Sequence, residues 1–250
     1  KREDSKSLIF QENFFLKFSF SYLFTQKEKN GVMPRFFIVL YLKISNQIKM
    51  LLAQNISFHR GNRKIFDNIN VSLSSGKIIF LSGKNGSGKT SLIKLALNLL
   101  EPTSGEIYWK GKTLNKNLYD FYSNTTYIAD KSSSIRQLSV YENIRIWKKL
   151  FLSNVNYNQI NEILSMLSLD RLSNSKVSTL SLGEIKKLEL LRLIIENKKI
   201  WILDEPLNNL DKSSINLIEQ TFTDHCDKEG CVMFSSHQDP KIQISEEINL

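Results

Sequence analysis

The residues Gly83-Lys84-Asn85-Gly86-Ser87-Gly88-Lys89-Thr90 form the pattern G-x-x-x-x-G-K-T. It follows a short apolar run at 77–82 and precedes an apolar stretch at 91–100. The sequence therefore predicts a strand, a glycine-rich loop and a helix in succession, the context in which this pattern binds phosphates. A glycine-rich turn without a ligand is the alternative, and the flanking strand and helix disfavour it.

The residue types in this loop suit a nucleotide triphosphate. Glycines allow backbone N–H groups to turn inward around phosphates, beside the N-terminus of the following helix. Lys89 offers a positive charge to the β- and γ-phosphates, and Thr90 offers a hydroxyl to Mg²⁺. We therefore expect residues 83–90, together with Ser91, to bind the nucleotide.

A second apolar stretch, residues 199–203, ends in Asp204 and Glu205. It predicts a buried strand that carries two carboxylates at its end. Asp204 is placed to hold Mg²⁺ through its coordination shell. Glu205 could accept a proton from an attacking water, which is the work of a general base. An exposed acidic pair in a loop is the alternative interpretation, and a phosphate-binding loop upstream favours the catalytic one.

The stretch Leu180-Ser181-Leu182-Gly183-Glu184 narrows the class of protein. Ser181 and Glu184 have the S-x-x-E spacing of a capping box, which predicts the start of a helix. A helix N-terminus that presents a serine hydroxyl and a glycine N–H is also suited to anions. The same five residues therefore predict a helix cap and a candidate phosphate contact.

Taken together, these stretches resemble the ABC ATPase family. The resemblance runs from about residue 51 to His237 and includes L-D-E-P after the LSLGE stretch and a histidine in an S-S-H context. It implies an ATP- and Mg²⁺-dependent ATPase that works as a homodimer, with two ATP molecules between the subunits. Separate integral-membrane permease subunits would be its partners.

The resemblance also implies roles for individual residues. Ser181 and Gly183, with Glu184, match the signature stretch that contacts the γ-phosphate bound by the partner subunit. Asp211 matches the D-loop aspartate. His237 matches the switch histidine that contacts the γ-phosphate, which makes Glu205 and His237 the candidate catalytic residues.

Three positions depart from the family pattern. Leu182 replaces a glycine of the signature, and Lys131, or Asp130 with a one-residue slip, replaces the Q-loop glutamine. Arg60 stands where an aromatic residue usually stacks on adenine, and a guanidinium can stack on a base as well. We expect the change at Lys131 to affect coupling and hydrolysis more than ATP binding.

Charge, hydropathy and cysteine content argue against a nucleic-acid-binding protein, a membrane-spanning segment near the N-terminus and a disulfide-rich domain. The net charge is +9, but residues 1–49 hold nine Lys or Arg against four Asp or Glu, and the remainder is nearly balanced. No nucleic-acid partner is therefore expected. Near the N-terminus the longest apolar run is residues 36–42, too short for a spanning helix. The two cysteines, Cys226 and Cys231, form neither a C-x-x-C pair nor a disulfide framework.

The predicted fold class is α/β: a P-loop NTPase of ABC ATPase type, with a mostly parallel sheet core, an antiparallel β edge and a helical subdomain at about 119–178. Residues 50–250 are expected to form the ATPase domain. Residues 1–49 are rich in Phe and Lys without a sustained period, and are expected to lie outside the working domain. An interfacial membrane anchor is the alternative for this extension.

Within the family, the sequence is most similar to the ATP-binding subunit of the haem exporter of cytochrome c maturation, in residues 60–66, 105–111 and 201–206. This resemblance implies a peripheral subunit on the cytoplasmic face of a bacterial inner membrane or the matrix face of a mitochondrial one. A soluble ABC ATPase, as in iron–sulfur assembly, an exporter subunit for another substrate and a degenerate structural cassette are the alternatives.

Residues 138–151 combine apolar, aromatic and basic side chains just after the Q-loop position. Val140, Tyr141, Ile144 and Trp147 are therefore expected to contribute to a surface that docks the permease. Packing of these residues inside the helical subdomain is the alternative.

Overall fold

The computed structural model describes residues 49–250, so the expectations for the N-terminal extension concern residues outside this range, apart from Lys49. The strands are β1 (Lys49–Arg60), β2 (Arg63–Ser74), β3 (Ile78–Ser82), β4 (Ser104–Trp109), β5 (Lys112–Thr113), β6 (Thr125–Ile128), β7 (Ile200–Leu203), β8 (Cys231–Ser235) and β9 (Glu246–Asn249). The α-helices are α1 (Lys89–Ala96), α2 (Leu118–Ser123), α3 (Val140–Leu150), α4 (Tyr157–Met166), α5 (Leu182–Leu190), α6 (Arg192–Glu196) and α7 (Lys212–Asp227).

The main sheet is parallel and has the strand order β6-β7-β8-β3-β9. Every residue of β7 and β8 is buried, as are four of the five residues of β3. Strands covered by other elements on both faces are apolar throughout rather than alternating. The predicted parallel α/β core is confirmed.

The antiparallel part is a separate sheet with the order β2-β1-β4-β5. Strands β1 and β2 form a hairpin in which Arg60 pairs with Arg63, leaving Gly61 and Asn62 as the two-residue loop. Such short loops suit antiparallel neighbours. This sheet is the antiparallel β edge that the sequence predicts.

Two apolar cores lie on opposite faces of the parallel sheet. Successive residues of β3 alternate between them: Phe80 packs in one core with Leu188 of α5, and Ile79 packs in the other with Ile93 of α1. This alternation follows from the two-residue period of a strand. The first core joins the sheet to helices α3–α7, and the second joins it to α1 and the antiparallel sheet.

The stretch predicted to be mostly helical, residues 119–178, also contains a core strand. Strand β6 pairs with β7, so that Thr125 lies beside Ile200 and Ile128 beside Leu203. Its four residues are too few to show a clear period in sequence. Within this stretch, helix α2 precedes β6, and helices α3 and α4 follow it.

Three of the four residues predicted to form a permease-docking surface on α3 are buried. Val140 and Ile144 are 0% exposed and Trp147 is 6% exposed, because all three pack in the first core, where α3 contacts α6. Placing these three residues on a docking surface is wrong, because they form the apolar face by which the helix attaches to the domain. The exposed side of α3 carries other residues, including Arg145, Ile146, Lys149 and Leu150.

Within residues 49–250, no helix has the length and hydropathy required to cross a membrane.

Candidate functional site

The glycine-rich loop lies between β3 and α1, at the carboxyl end of the parallel sheet. Lys84, Asn85 and Gly86 are exposed, whereas Ser87 and Ser91 are partly buried. The backbone N–H of Ser87 donates to the carbonyl of Lys84 over 3.1 Å, which closes a tight turn. The loop therefore presents its backbone at the N-terminus of α1, as an anion site requires.

Gly88 fits only without a side chain. Its φ is +116°, and a Cβ atom there would lie 2.7 Å from Cγ2 of Ile65 and 2.9 Å from Cδ1 of Phe66. Both the left-handed backbone and the close approach of β2 exclude other residues. The antiparallel sheet thus helps to fix the position of the loop.

The Lys89 side chain extends into the interior of the loop and is 6% exposed. Its Nζ donates to the carbonyl oxygen of Gly83 over 2.7 Å and lies 3.6 Å from Oε1 of Glu205. A buried ammonium needs such partners, because desolvation penalises an isolated charge. The structure therefore brings together the lysine predicted to contact the phosphates and the glutamate predicted to act as the base.

Asp204 connects the loop to the end of β8. Its Oδ1 accepts hydrogen bonds from Oγ1 of Thr90, over 3.1 Å, and from Oγ of Ser235, over 2.9 Å. The backbone N–H of Glu205 donates to the same Ser235 oxygen over 2.9 Å. Ser235 thus links both carboxylate residues, a role that sequence reasoning missed although the S-S-H stretch contains it.

Glu205 combines a buried side chain with an uncommon backbone conformation. It is 7% exposed and its φ is +49°, an uncommon conformation for a non-glycine residue that is often found at functional sites. Its Oε1 lies 3.1 Å from Nε2 of His237, whereas its buried Oε2 has no hydrogen-bond partner. One carboxylate oxygen is therefore held in place, and the other remains free to accept a proton.

The environment makes Glu205 a stronger base than an ordinary glutamate. Burial raises its pKa, while the charges of His237 and Lys89 act in the opposite direction. The neighbouring Asp204 adds to the rise. A carboxylate with a raised pKa is better matched to proton transfer near neutral pH.

The signature stretch begins α5. Ser181 is the N-cap, and its hydroxyl accepts from the N–H of Glu184 while the Glu184 carboxylate accepts from the N–H of Ser181. The predicted capping box is confirmed. The backbone hydrogen bond from Ser181 holds the pKa of Glu184 below its ordinary value. In residues 49–250, no hydrogen bond or ion pair joins these two side chains to the glycine-rich loop.

The residues at the D-loop position pack against α5. A Cβ atom on Gly183 would lie 2.5 Å from the carbonyl oxygen of Asn209, so only glycine permits this approach. Asp211 is the N-cap of α7, and its carboxylate lies 2.9 Å from Nζ of Lys187. Hydrogen bonds from Ser213 and Ser214, together with Lys187, hold the pKa of Asp211 well below its usual range.

Two predicted site residues stand apart from this cluster. Arg60 is exposed at the end of β1, and Lys131 is exposed in the segment after β6. Neither forms a side-chain ion pair among the described residues. The structure therefore places both at the surface without a contact that assigns either a function.

Known proteins resemble this chain over most of its length. A family model described as ABC transporter matches residues 66–208. A curated protein of Reclinomonas americana, the cytochrome c biogenesis ATP-binding export protein CcmA, is 36% identical over 200 residues, covering 79% of this chain and 89% of that protein. The protein of the same name from Nitrosomonas europaea is 34% identical over 192 residues, covering 77% and 90%.

Two solved structures share the fold. The ATP-binding subunit of an ABC transporter aligns with a TM-score of 0.67 at 23% identity, covering 75% of this chain and 79% of that one. A nucleotide-free ATP-binding cassette from an ABC transporter aligns with a TM-score of 0.60 at 21% identity, covering 76% and 82%. At these identities the likeness concerns the fold alone.

Proposed function

The chain belongs to the ABC transporter family as an ATP-hydrolysing, nucleotide-binding subunit, and we propose that it energises haem export for cytochrome c maturation through a separate permease. The observation that carries the proposal is similarity to cytochrome c biogenesis export proteins along nearly their whole length, 89% for the relative from Reclinomonas americana.

ATP hydrolysis follows from the charges assembled at the loop. Lys89 neutralises charge on the β- and γ-phosphates, and the backbone N–H groups of the loop bind the phosphate oxygens. Glu205 accepts a proton from the attacking water through Oε2, the buried oxygen without a partner. His237 contacts the other oxygen of Glu205, and thereby orients the base toward the γ-phosphate.

Mg²⁺ fits the oxygens beside the loop. The hydroxyl of Thr90 and the carboxylate of Asp204 are 3.1 Å apart, and both are hard oxygen donors of the kind this ion prefers. Residues 49–250 contain no cluster of three acidic, His or Cys side chains that could hold a metal. Two protein donors suit Mg²⁺, which keeps waters and takes phosphate oxygens. When bound, the ion would neutralise charge on the β- and γ-phosphates.

The complete catalytic site requires two copies of the chain. Ser181 is exposed, and Gly183 presents its backbone at the same helix N-terminus. Because neither contacts the loop of its own subunit, they are available to the γ-phosphate that the partner copy binds. The function is thus that of a homodimer with two composite ATP sites.

The permease would contact the exposed side of α3. Leu150 is 68% exposed and Ile146 is 39% exposed, beside the basic residues Arg145 and Lys149. This side faces away from the core that holds Val140, Ile144 and Trp147. Closure of the dimer would move this surface and with it the permease. The ATPase subunit would lie on the cytoplasmic face of a bacterial inner membrane or the matrix face of a mitochondrial one.

The test replaces Lys89 in the host. Lys89→Ala should abolish covalent haem attachment to c-type cytochromes while the apo-cytochromes still accumulate, and Lys94→Ala on the same helix should leave attachment normal. Normal holo-cytochrome levels in the Lys89→Ala strain would reject haem export and leave the ATPase assignment unaffected. If iron–sulfur enzymes lost activity instead, the soluble assembly ATPase would replace the proposal.

A further inference from the structure

The side chain of Glu189 lies on α5, eight residues after the N-cap Ser181, and is 3% exposed. Its Oε1 accepts from the backbone N–H groups of Ser133, at 2.8 Å, and Ser134, at 2.7 Å. The hydroxyls of Ser132 and Ser134 donate to the same oxygen over 2.7 and 2.6 Å. A single buried carboxylate therefore binds three consecutive serines that are more than 50 residues away in sequence.

These hydrogen bonds keep the carboxylate ionised. Burial acts to raise the pKa of Glu189, but the hydrogen bonds from the three serines and the charge of Arg192 outweigh it, so the pKa lies below its ordinary value. Successive backbone N–H groups that converge on one anion are a known stabilising arrangement. A glutamine would replace one acceptor by an N–H₂ group facing Arg192, which lies 3.3 Å from Oε2.

The serines belong to the segment that leaves the catalytic edge of the sheet. Ile128, the last residue of β6, accepts through its carbonyl from the N–H of Asp204 over 2.8 Å. The segment 130–134 follows directly and includes Lys131, which has no side-chain hydrogen bond or ion pair among the described residues. A second contact comes from the buried Lys186, whose Nζ donates to the carbonyl of Asp130 over 3.2 Å.

The same network reaches α3. Arg192 donates to Oγ of Ser133 over 2.9 Å, and its guanidinium lies 5.8 Å from the ring centres of both Trp147 and Phe151. The carboxylate of Glu189 therefore contacts the segment after β6 directly and is connected to α3 through Arg192.

We propose that Glu189 is a positioning residue for ATP hydrolysis, which fixes the segment 130–134 against the signature helix and beside Asp204 and Glu205. In this chain the link is made by a glutamate on α5 and by serines, and not by the side chain of Lys131. The effect concerns turnover rather than nucleotide affinity, because Glu189 contacts none of the loop residues 83–90. The proposal does not depend on which molecule the transporter carries.

The experiment compares two buried glutamates in the full chain. Glu196, 7% exposed, is bound by Arg192 and by Thr126 but holds no residue of the segment, so Glu196→Gln is the matched control. Glu189→Gln should lower kcat by about 10- to 100-fold, the range expected for a misplaced catalytic group. Its KM for ATP should change by less than about twofold, because nucleotide binding is untouched.

Glu196→Gln should keep the kcat of the unaltered chain, even if it lowers Tm by as much as Glu189→Gln does. Equal kcat values for the two glutamine variants, each corrected for the folded fraction, would overturn the proposal. If Glu189→Gln fails to fold, Ser133→Ala and Ser134→Ala take its place, since each removes one hydroxyl that bonds to the carboxylate and leaves the carboxylate in place. They should lower kcat at constant KM, and a kcat unchanged in both would overturn the proposal as well.

Discussion

The imidazole Nε2 of His237 lies 3.1 Å from Oε1 of Glu205, so the histidine that follows β8 contacts the carboxylate that follows β7. The charge of His237 is one of the factors that set the pKa of the proposed base. Burial raises the pKa of Glu205, and the charge of His237 lowers it. Hydrolysis should therefore decline as the pH falls through the raised pKa of Glu205, because only the ionised carboxylate accepts a proton.

Replacing His237 should displace this pH dependence in a defined direction. His237→Ala removes an influence that lowers the pKa of Glu205, so the acidic limb of the kcat profile should move to higher pH. The maximal kcat should also fall by about 10²-fold or more, since the base is no longer oriented. Steady-state ATPase measurements across pH check both effects, and an acidic limb that moves to lower pH would contradict this pairing.

The same pKa shift has a consequence for stability. A carboxyl whose pKa is raised on folding is destabilising when ionised, so the penalty is present at neutral pH and disappears as the pH falls through the folded pKa. Glu205→Gln should therefore raise Tm at pH 7, with a gain that shrinks on acidification. Thermal denaturation at several pH values measures this. A lower Tm for the variant at pH 7 would show that the charge contacts outweigh burial.

Replacing Ser235 should affect stability and Mg²⁺ dependence more than replacing its neighbour Ser236. Ser235→Ala removes the donor to Asp204 and leaves the N–H of Glu205 without its acceptor, which costs about 1–3 kcal/mol of unfolding free energy. It should also increase the Mg²⁺ concentration needed for half-maximal hydrolysis. Ser236→Ala is the control, because Ser236 is equally buried but bonds only to the N–H of Gln238. Indistinguishable Mg²⁺ dependence in the two variants would exclude the role given to Ser235.

Mixed dimers test the composite site. Lys89→Ala should inactivate the loop of its own subunit, and Ser181→Arg should block the signature stretch that serves the partner. A mixture of the two inactive variants should regain part of the ATPase activity, since some dimers contain one intact pair of loop and signature. At protein concentrations low enough that most of the chain is monomeric, the recovered activity should increase with the square of the protein concentration. A mixture as inactive as either parent would mean that each subunit completes its own site.

Local patterns were sufficient to predict much of this structure. The glycine-rich loop, the apolar strand before Asp204 and the capping box of Ser181 and Glu184 each depend on neighbours within a few residues. Those three features lie where they were expected. The functional roles of the residues within them remain predictions.

Other features depend on contacts that no local pattern encodes. The helical period of α3 shows that Val140, Ile144 and Trp147 share a face, but not that α6 packs against this helix. Strand β6 is too short for its period to be read. The serines bound by Glu189 lie more than 50 residues before it, and without the fold nothing connects them.

Glu205→Gln removes the carboxylate that this chain would use as the base in ATP hydrolysis. In the purified full chain, kcat should fall by about 10²–10⁴-fold while the Kd for ATP is retained and an ATP-dependent dimer accumulates. Glu219→Gln, at another buried glutamate 3% exposed, should hydrolyse ATP at the unaltered rate. Unchanged turnover in Glu205→Gln would contradict the assignment of the base.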